Sequence, residues 1–216
     1  MEKEAIIRKT EHFVKEKLAD DASGHDWWHI ERVRRLGCYL AKQEGADLFI
    51  VEMAALLHDI ADEKIAGSEE SGMQAVQQWL WQLPLSRAES EHIVSAISTV
   101  SYKGGHGHPP QTVEAMVVQD ADRLDAIGAI GIARAFMYAG NRGHLLYDPT
   151  LPVRETMTKE QYRHERSTAI HHFYEKLLKL KDLLNTESAK KLAEHRHQFL
   201  EQFLQQFYRE WDEAME

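Results

Sequence analysis

A chain of 216 residues with 43% hydrophobic and 28% charged side chains has the make-up of an ordinary globular protein and enough material for a real core. A formal charge of −9 without any basic run argues against a protein that tracks a long nucleic acid, although a bound cation can still make one cleft welcome a small anion. The single cysteine, Cys38, rules out an intrachain disulfide and a thiolate-rich zinc site, so any metal must rest on His, Asp and Glu.

The N-terminal "MEKEAIIRKTEHF" is too charged for a secretory signal, and no apolar run is long enough for a bilayer, so the expected setting is cytoplasmic, with no membrane partner. Residues 2 to 19 interleave charges with Ile6, Ile7, Phe13, Val14 and Leu18 at helical spacing, which predicts an amphipathic helix. "DDASGHD" (20 to 26) interrupts it, and a second helix is expected from about Trp27 to Gln43, ended near Gly45. Asp47 is placed to cap the apolar helix that holds His58. Another helix is expected after Ser68, carrying Trp79 and Trp81 and stopping before Pro84, followed by one in "SRAESEHIVSAISTVS" (86 to 101). "YKGGHGHPP" reads as a loop, and residues 111 to 138 as one or two helices whose Gly128 and Gly131 permit close packing. The polar stretch 139 to 157 is expected to be a long loop of the kind used for binding lids. Two long amphipathic helices, about 158 to 184 and 187 to 213, complete the chain. No segment alternates with period two in β-branched residues, so the expected fold is all-α in a single domain, 1 to 216, where neighbouring helices bring distant side chains together.

Four stretches set ligand-type side chains on apolar helices or at their ends: "GHDWWHIERV" (24 to 33), "LLHDIAD" (56 to 62), "ESEHIVSAI" (89 to 97) and "VVQDADRLDAIG" (117 to 128). Singly, each is the pattern of a hydrogen-bonded core residue. Taken in order, the lone His29, the adjacent His58 and Asp59, and the later Asp122 in "DADRLD" resemble the H…HD…D signature of the HD-domain metal-dependent phosphohydrolases. The resemblance covers about residues 20 to 140. It implies a helical bundle with a divalent metal between core helices, held by His29, His58, Asp59 and Asp122.

Two neutral imidazoles and two carboxylates form a set of charge −2 that suits a borderline ion such as Mn²⁺, Fe²⁺, Co²⁺, Ni²⁺ or Zn²⁺ better than Ca²⁺, and the expected cofactor is one of these or Mg²⁺. Four protein ligands on a six-coordinate ion leave two positions, for a water and a phosphoryl oxygen. Asp62, three residues past Asp59 and four past His58, falls on the same face of a continuing helix. The family places its proposed general acid or base there, and that role is carried onto Asp62, with Glu63 next in line.

For substrate phosphates, the first choice is Lys103 in "SYKGG", followed by Lys64, Arg123 and His25. His106 and His108 lack the adjacent double histidine of binuclear members, so one metal is expected, with His92 near substrate or water. Trp27 and Trp28 are expected to wall the core, and His171, His172 and the "HRH" at 195 to 197 to lie on solvated faces.

Similarity in length and in "DADRLDAIGAIGIAR" to small bacterial-type members implies a nucleotide as the substrate. The reaction would be cleavage of a triphosphate to monophosphate and pyrophosphate, or hydrolysis of a monophosphate. A di-iron oxygenase on the same scaffold and a non-catalytic nucleotide sensor are the alternatives. Apolar positions on the C-terminal helices permit a homodimer.

Overall fold

The computed structural model describes residues 3–19, 24–102, 107–154, 157–158, 161 and 167–213, with the backbone alone at 63 and 64. Every regular element among them is helical, as the absence of period-two alternation predicts. The chain divides into two compact units, Met1–Asp122 and Arg123–Glu216.

The first unit is organised around α3 (Leu48–Leu57), in which eight of ten residues are buried. A helix that is apolar all round has to sit inside, and α1 (Lys3–Lys17), α2 (Trp27–Glu44) and α6 (Arg87–Ser98) pack against it. The caps fall where the sequence puts them. Asp47 accepts from the amides of Phe49 and Ile50, Gly45 closes α2 at φ 71°, and Ser68 caps α5 (Glu69–Trp81). Ser86 and Glu89 form a reciprocal capping box on α6. Phe13 stacks on Trp79 at 4.1 Å, and the Trp79 indole donates to Thr10 Oγ1 at 3.1 Å, which fastens α1 to α5.

After α3 comes a 3₁₀ turn, Asp59–Ala61, and the one-turn α4 (Glu63–Ala66). α7 (Val113–Asp125) carries the chain from the first unit into the second.

In the second unit, α8 (Gly128–Asn141) packs on α9 (Ala169–Glu175) and on the long α10 (Glu187–Asp212). Gly128 takes φ 76°, and a Cβ there would lie 3.1 Å from the Arg196 side chain, so the expected close packing is found. One long helix over 158 to 184 is not found. The described residues hold only the seven-residue α9, then 3₁₀ turns at Leu177–Lys179 and Lys181–Leu183.

The amphipathic spacing is nonetheless used, because Ile170, Phe173, Leu177, Leu180 and Leu184 are all buried. Lys176, at φ −137° and ψ −61°, breaks the helix while three-residue turns keep the apolar side inward. The expected loop also starts later, since α8 runs through Asn141. It is tied down within this unit: Leu145 and Leu146 carbonyls accept from the first amides of α9. No helix among the described residues is long and apolar enough to cross a membrane.

Candidate metal centre

Side chains from α2, α3, the 3₁₀ turn and α7 converge on one buried spot of the first unit. The Asp26 carboxylate caps α2 by accepting from the His29 amide at 2.9 Å, which fixes the helix start and holds His29 fully buried. His58 ends α3, Asp59 opens the 3₁₀ turn, and Asp122 comes from the last turns of α7.

His29 Nε2 lies 3.4 Å from Asp59 Oδ2 and 3.4 Å from Asp122 Oδ1. His58 Nε2 lies 3.4 Å from Asp59 Oδ1 and 3.9 Å from Asp122 Oδ1. His25 joins them, its Nδ1 3.0 Å from Asp59 Oδ2. Five residues named from the sequence are thus brought together, but His25 meets a carboxylate of the cluster, where a substrate phosphate was expected.

His58 Nδ1 is 2.8 Å from the Ala55 carbonyl and can only donate to it. That bond leaves the lone pair on Nε2, which is buried, has no hydrogen-bond partner and looks toward two carboxylates. A lone pair among anions calls for a cation. In its absence a proton serves: burial alone would lower the His58 pKa, but Asp59, Asp122, the bond to the Ala55 carbonyl and the charge of Asp62 outweigh burial and raise it. Burial would raise Asp59, yet His25, His58 and His29 hold it well below the usual carboxylate range.

Donors about 2.1 Å from a metal stand about 3.0 to 3.4 Å apart, so the observed separations fit a divalent ion with small closure. Two triads have ligand atoms within 4.8 Å of one another: His25, His29 and Asp59, and His29, His58 and Asp122. His29 Nε2 faces the carboxylates of both. One ring nitrogen has one lone pair, so the triads describe one centre rather than two.

Asp62 does not share a helix face with His58. α3 stops at Leu57, and Asp62 is extended at ψ 136°, capping the 3₁₀ turn, so the helical spacing does not apply there. It is half-buried and close enough for its charge to act on His58. Glu63 and Lys64 open α4, and their side chains, like the whole of Lys103, lie outside the described residues.

His92 stands elsewhere. Its Nε2 pairs with Glu114 at 3.1 Å and approaches Thr112 Oγ1 at 3.4 Å, while Glu114 accepts from the Asp47 amide at 2.9 Å. That corner is at the start of α3, about 15 Å of helix from His58. Arg123 donates to the Leu183 carbonyl within the second unit. Trp28 is 65% exposed rather than walling the core, because capping at Asp26 turns His29 inward and leaves its neighbour outside. His171 is buried against Tyr147 instead of solvated.

Residues 27–127 match the family model described as HD domain. The YpgQ protein of Bacillus subtilis is 41% identical over 196 residues, spanning 90% of this chain and 88% of its own length. A crystal structure of YpgQ in complex with ADP aligns with a TM-score of 0.74, covering 94% of this chain and 97% of that one. A Lactobacillus plantarum protein of known structure is 42% identical, with TM-score 0.87 and coverage of 98% and 99%. An HD-superfamily hydrolase from Bacillus thuringiensis is 49% identical, with TM-score 0.76 and coverage of 98% and 100%.

Proposed function

The chain belongs to the HD-domain family, and from that premise we propose that it is a divalent-metal-dependent phosphohydrolase acting on nucleotides. The observation that carries this reading is the buried His58 Nε2, without a hydrogen bond and aimed at two carboxylates. His29, His58, Asp59 and Asp122 would hold the metal. When bound, the ion polarises a phosphoryl oxygen and makes water acidic enough to attack at neutral pH.

The protein's own groups do the rest. The Ala55 carbonyl keeps the His58 ring in one tautomer, and the 3.0 Å contact from His25 orients Asp59. Asp62, half-buried and felt electrostatically at His58, takes up or returns the proton of hydrolysis at its carboxylate, with Glu63 the next acid to test. Lys103 and Lys64 are proposed to meet the substrate's phosphate oxygens. A nucleotide is supported by the ADP held by YpgQ, a relative over nearly all of both chains. The scissile bond lies either between the α- and β-phosphates of a triphosphate or at a monophosphate ester.

The test is release of phosphate and pyrophosphate from a panel of nucleoside mono-, di- and triphosphates with added Mn²⁺, comparing wild type with Asp59→Ala. Release from one substrate class that vanishes in the variant is the expected result and names the bond. No metal-dependent release from any nucleotide would overturn the nucleotide reading.

A further inference from the structure

The chain leaves the His58 and Asp59 pair through the 3₁₀ turn and the single turn of α4. It then reverses at Gly67 (φ 80°) and enters α5 under the Ser68 cap. The corner is stapled by Ser71. Its Oγ lies 2.8 Å from the Ala66 carbonyl and 3.0 Å from that of Ser68, and its amide donates to Ser68 Oγ at 3.1 Å.

One residue later α5 comes back onto the turn it left. A Cβ built on Gly72 would stand 2.6 Å from the Ala61 carbonyl oxygen, 2.8 Å from its carbon and 2.9 Å from its Cα. These are backbone atoms, which cannot swing aside as the end of a long side chain can. Gly72 lies in the second turn of α5 and is absent from the positive-φ glycines, so close approach is what requires it, in a helix that otherwise disfavours glycine.

We propose that Gly72 is a positioning residue of the metal centre: through it α5 presses backbone to backbone on Ala61 and fixes the turn that begins with Asp59 and ends at Asp62. The inference rests on the metal-hydrolase reading for the roles of those two acids. The lever is short. The Ala61 amide donates to the His58 carbonyl at 3.2 Å, and the Asp62 amide to that of Asp59 at 3.0 Å, so a push on Ala61 passes to both acids through the turn's own bonds. A methyl group on Gly72 therefore displaces a proposed metal ligand and the proposed proton carrier together, without touching either.

The test is calorimetric titration of Mn²⁺ into metal-free wild type and variants, alongside thermal melting of the same samples. Gly72→Ala is expected to weaken Mn²⁺ binding by about 10- to 100-fold, the usual effect of losing support behind a ligand. Leu80→Ala, which hollows the core eight residues further along the same helix, should lower the melting temperature yet hold the Mn²⁺ Kd within about twofold. Ser71→Ala loosens the staple at an exposed position that tolerates truncation, and should weaken binding by about threefold. A folded Gly72→Ala with a wild-type Kd overturns the proposal. If Gly72→Ala does not fold, a wild-type Kd in Ser71→Ala overturns it instead. A wild type that takes up no Mn²⁺ overturns the metal reading and the inference with it.

Discussion

Of the acids that each unit buries, Glu175 in the second and Asp59 in the first are treated differently. In the second, Glu175 is 2% exposed and receives the Arg154 guanidinium through two bonds of 2.7 Å and the Ser167 hydroxyl at 2.9 Å. In the first, Asp59 is 4% exposed and faces three imidazoles, one of which ends in a nitrogen that bonds to nothing. Arg154 brings a permanent charge in a forked geometry that fills the carboxylate, so that site is complete within the chain. Histidines bring a charge only by taking a proton, so the Asp59 site is complete only with a cation from solvent. A buried acid with a guanidinium holds a loop in place, whereas a buried acid among imidazoles waits for something.

The sharpest way to break that contrast is Asp59→Ala. Metal uptake measured by calorimetry and metal-dependent hydrolysis should both be lost, by more than the about 10- to 100-fold that removing a supporting partner gives. Arg154→Met should do the reverse. It strands Glu175 and should cost about 3 to 5 kcal/mol of stability, read by denaturant unfolding, with the Mn²⁺ Kd unaltered below the transition.

Metal itself should then separate the sites. At a concentration about 100 times its Kd, an ion that binds only the folded chain adds about 2.7 kcal/mol, and a chelator should reverse the rise in melting temperature.

The pH dependence carries opposite signs. Burial raises the Glu175 pKa, but Arg154 and Ser167 outweigh it and hold the group below its ordinary value. Its contribution is therefore present above the unfolded carboxylate pKa and lost as pH falls through the folded one. The His58 pKa is raised, so in metal-free protein its contribution is present below the unfolded imidazole pKa and lost as pH rises through the folded one. Metal binding, which displaces that proton, should strengthen over the same rise, as melting curves with and without Mn²⁺ would record. The smallest effect is expected at His92, whose pairing with Glu114 is remote from the cluster: kcat of His92→Gln should stay within about twofold of wild type.

What the sequence discloses is what local chemistry decides. Asp47, Ser68, Ser86 and Gly45 mark helix ends because a cap acts within three or four residues of itself, and all four do so. His29, His58, Asp59 and Asp122 were legible from their order, and they meet where the start of α2, the end of α3 with its 3₁₀ turn and the last turns of α7 come together.

The failures lie where tertiary packing overrules local pattern. Nothing at Leu57 or His58 signals that α3 stops, since neither glycine nor proline stands there, and the helical-face argument for Asp62 went with it. Lys176 leaves helical geometry in the middle of a sound amphipathic run, because three-residue turns bury Leu177, Leu180 and Leu184 just as well. His171 looks solvated by composition and is buried by its neighbours, among them Tyr147.

The exposure of Trp28 gives the protein an optical reporter of its own. Its indole stands in water, so with the exposed Trp81 it should emit toward the red and be open to collisional quenchers, whereas Trp79, stacked on Phe13 and hydrogen-bonded to Thr10, should emit to the blue and resist them. A soluble quencher would therefore take the red edge of the emission first and leave the α1–α5 fastening to report last, with no label attached.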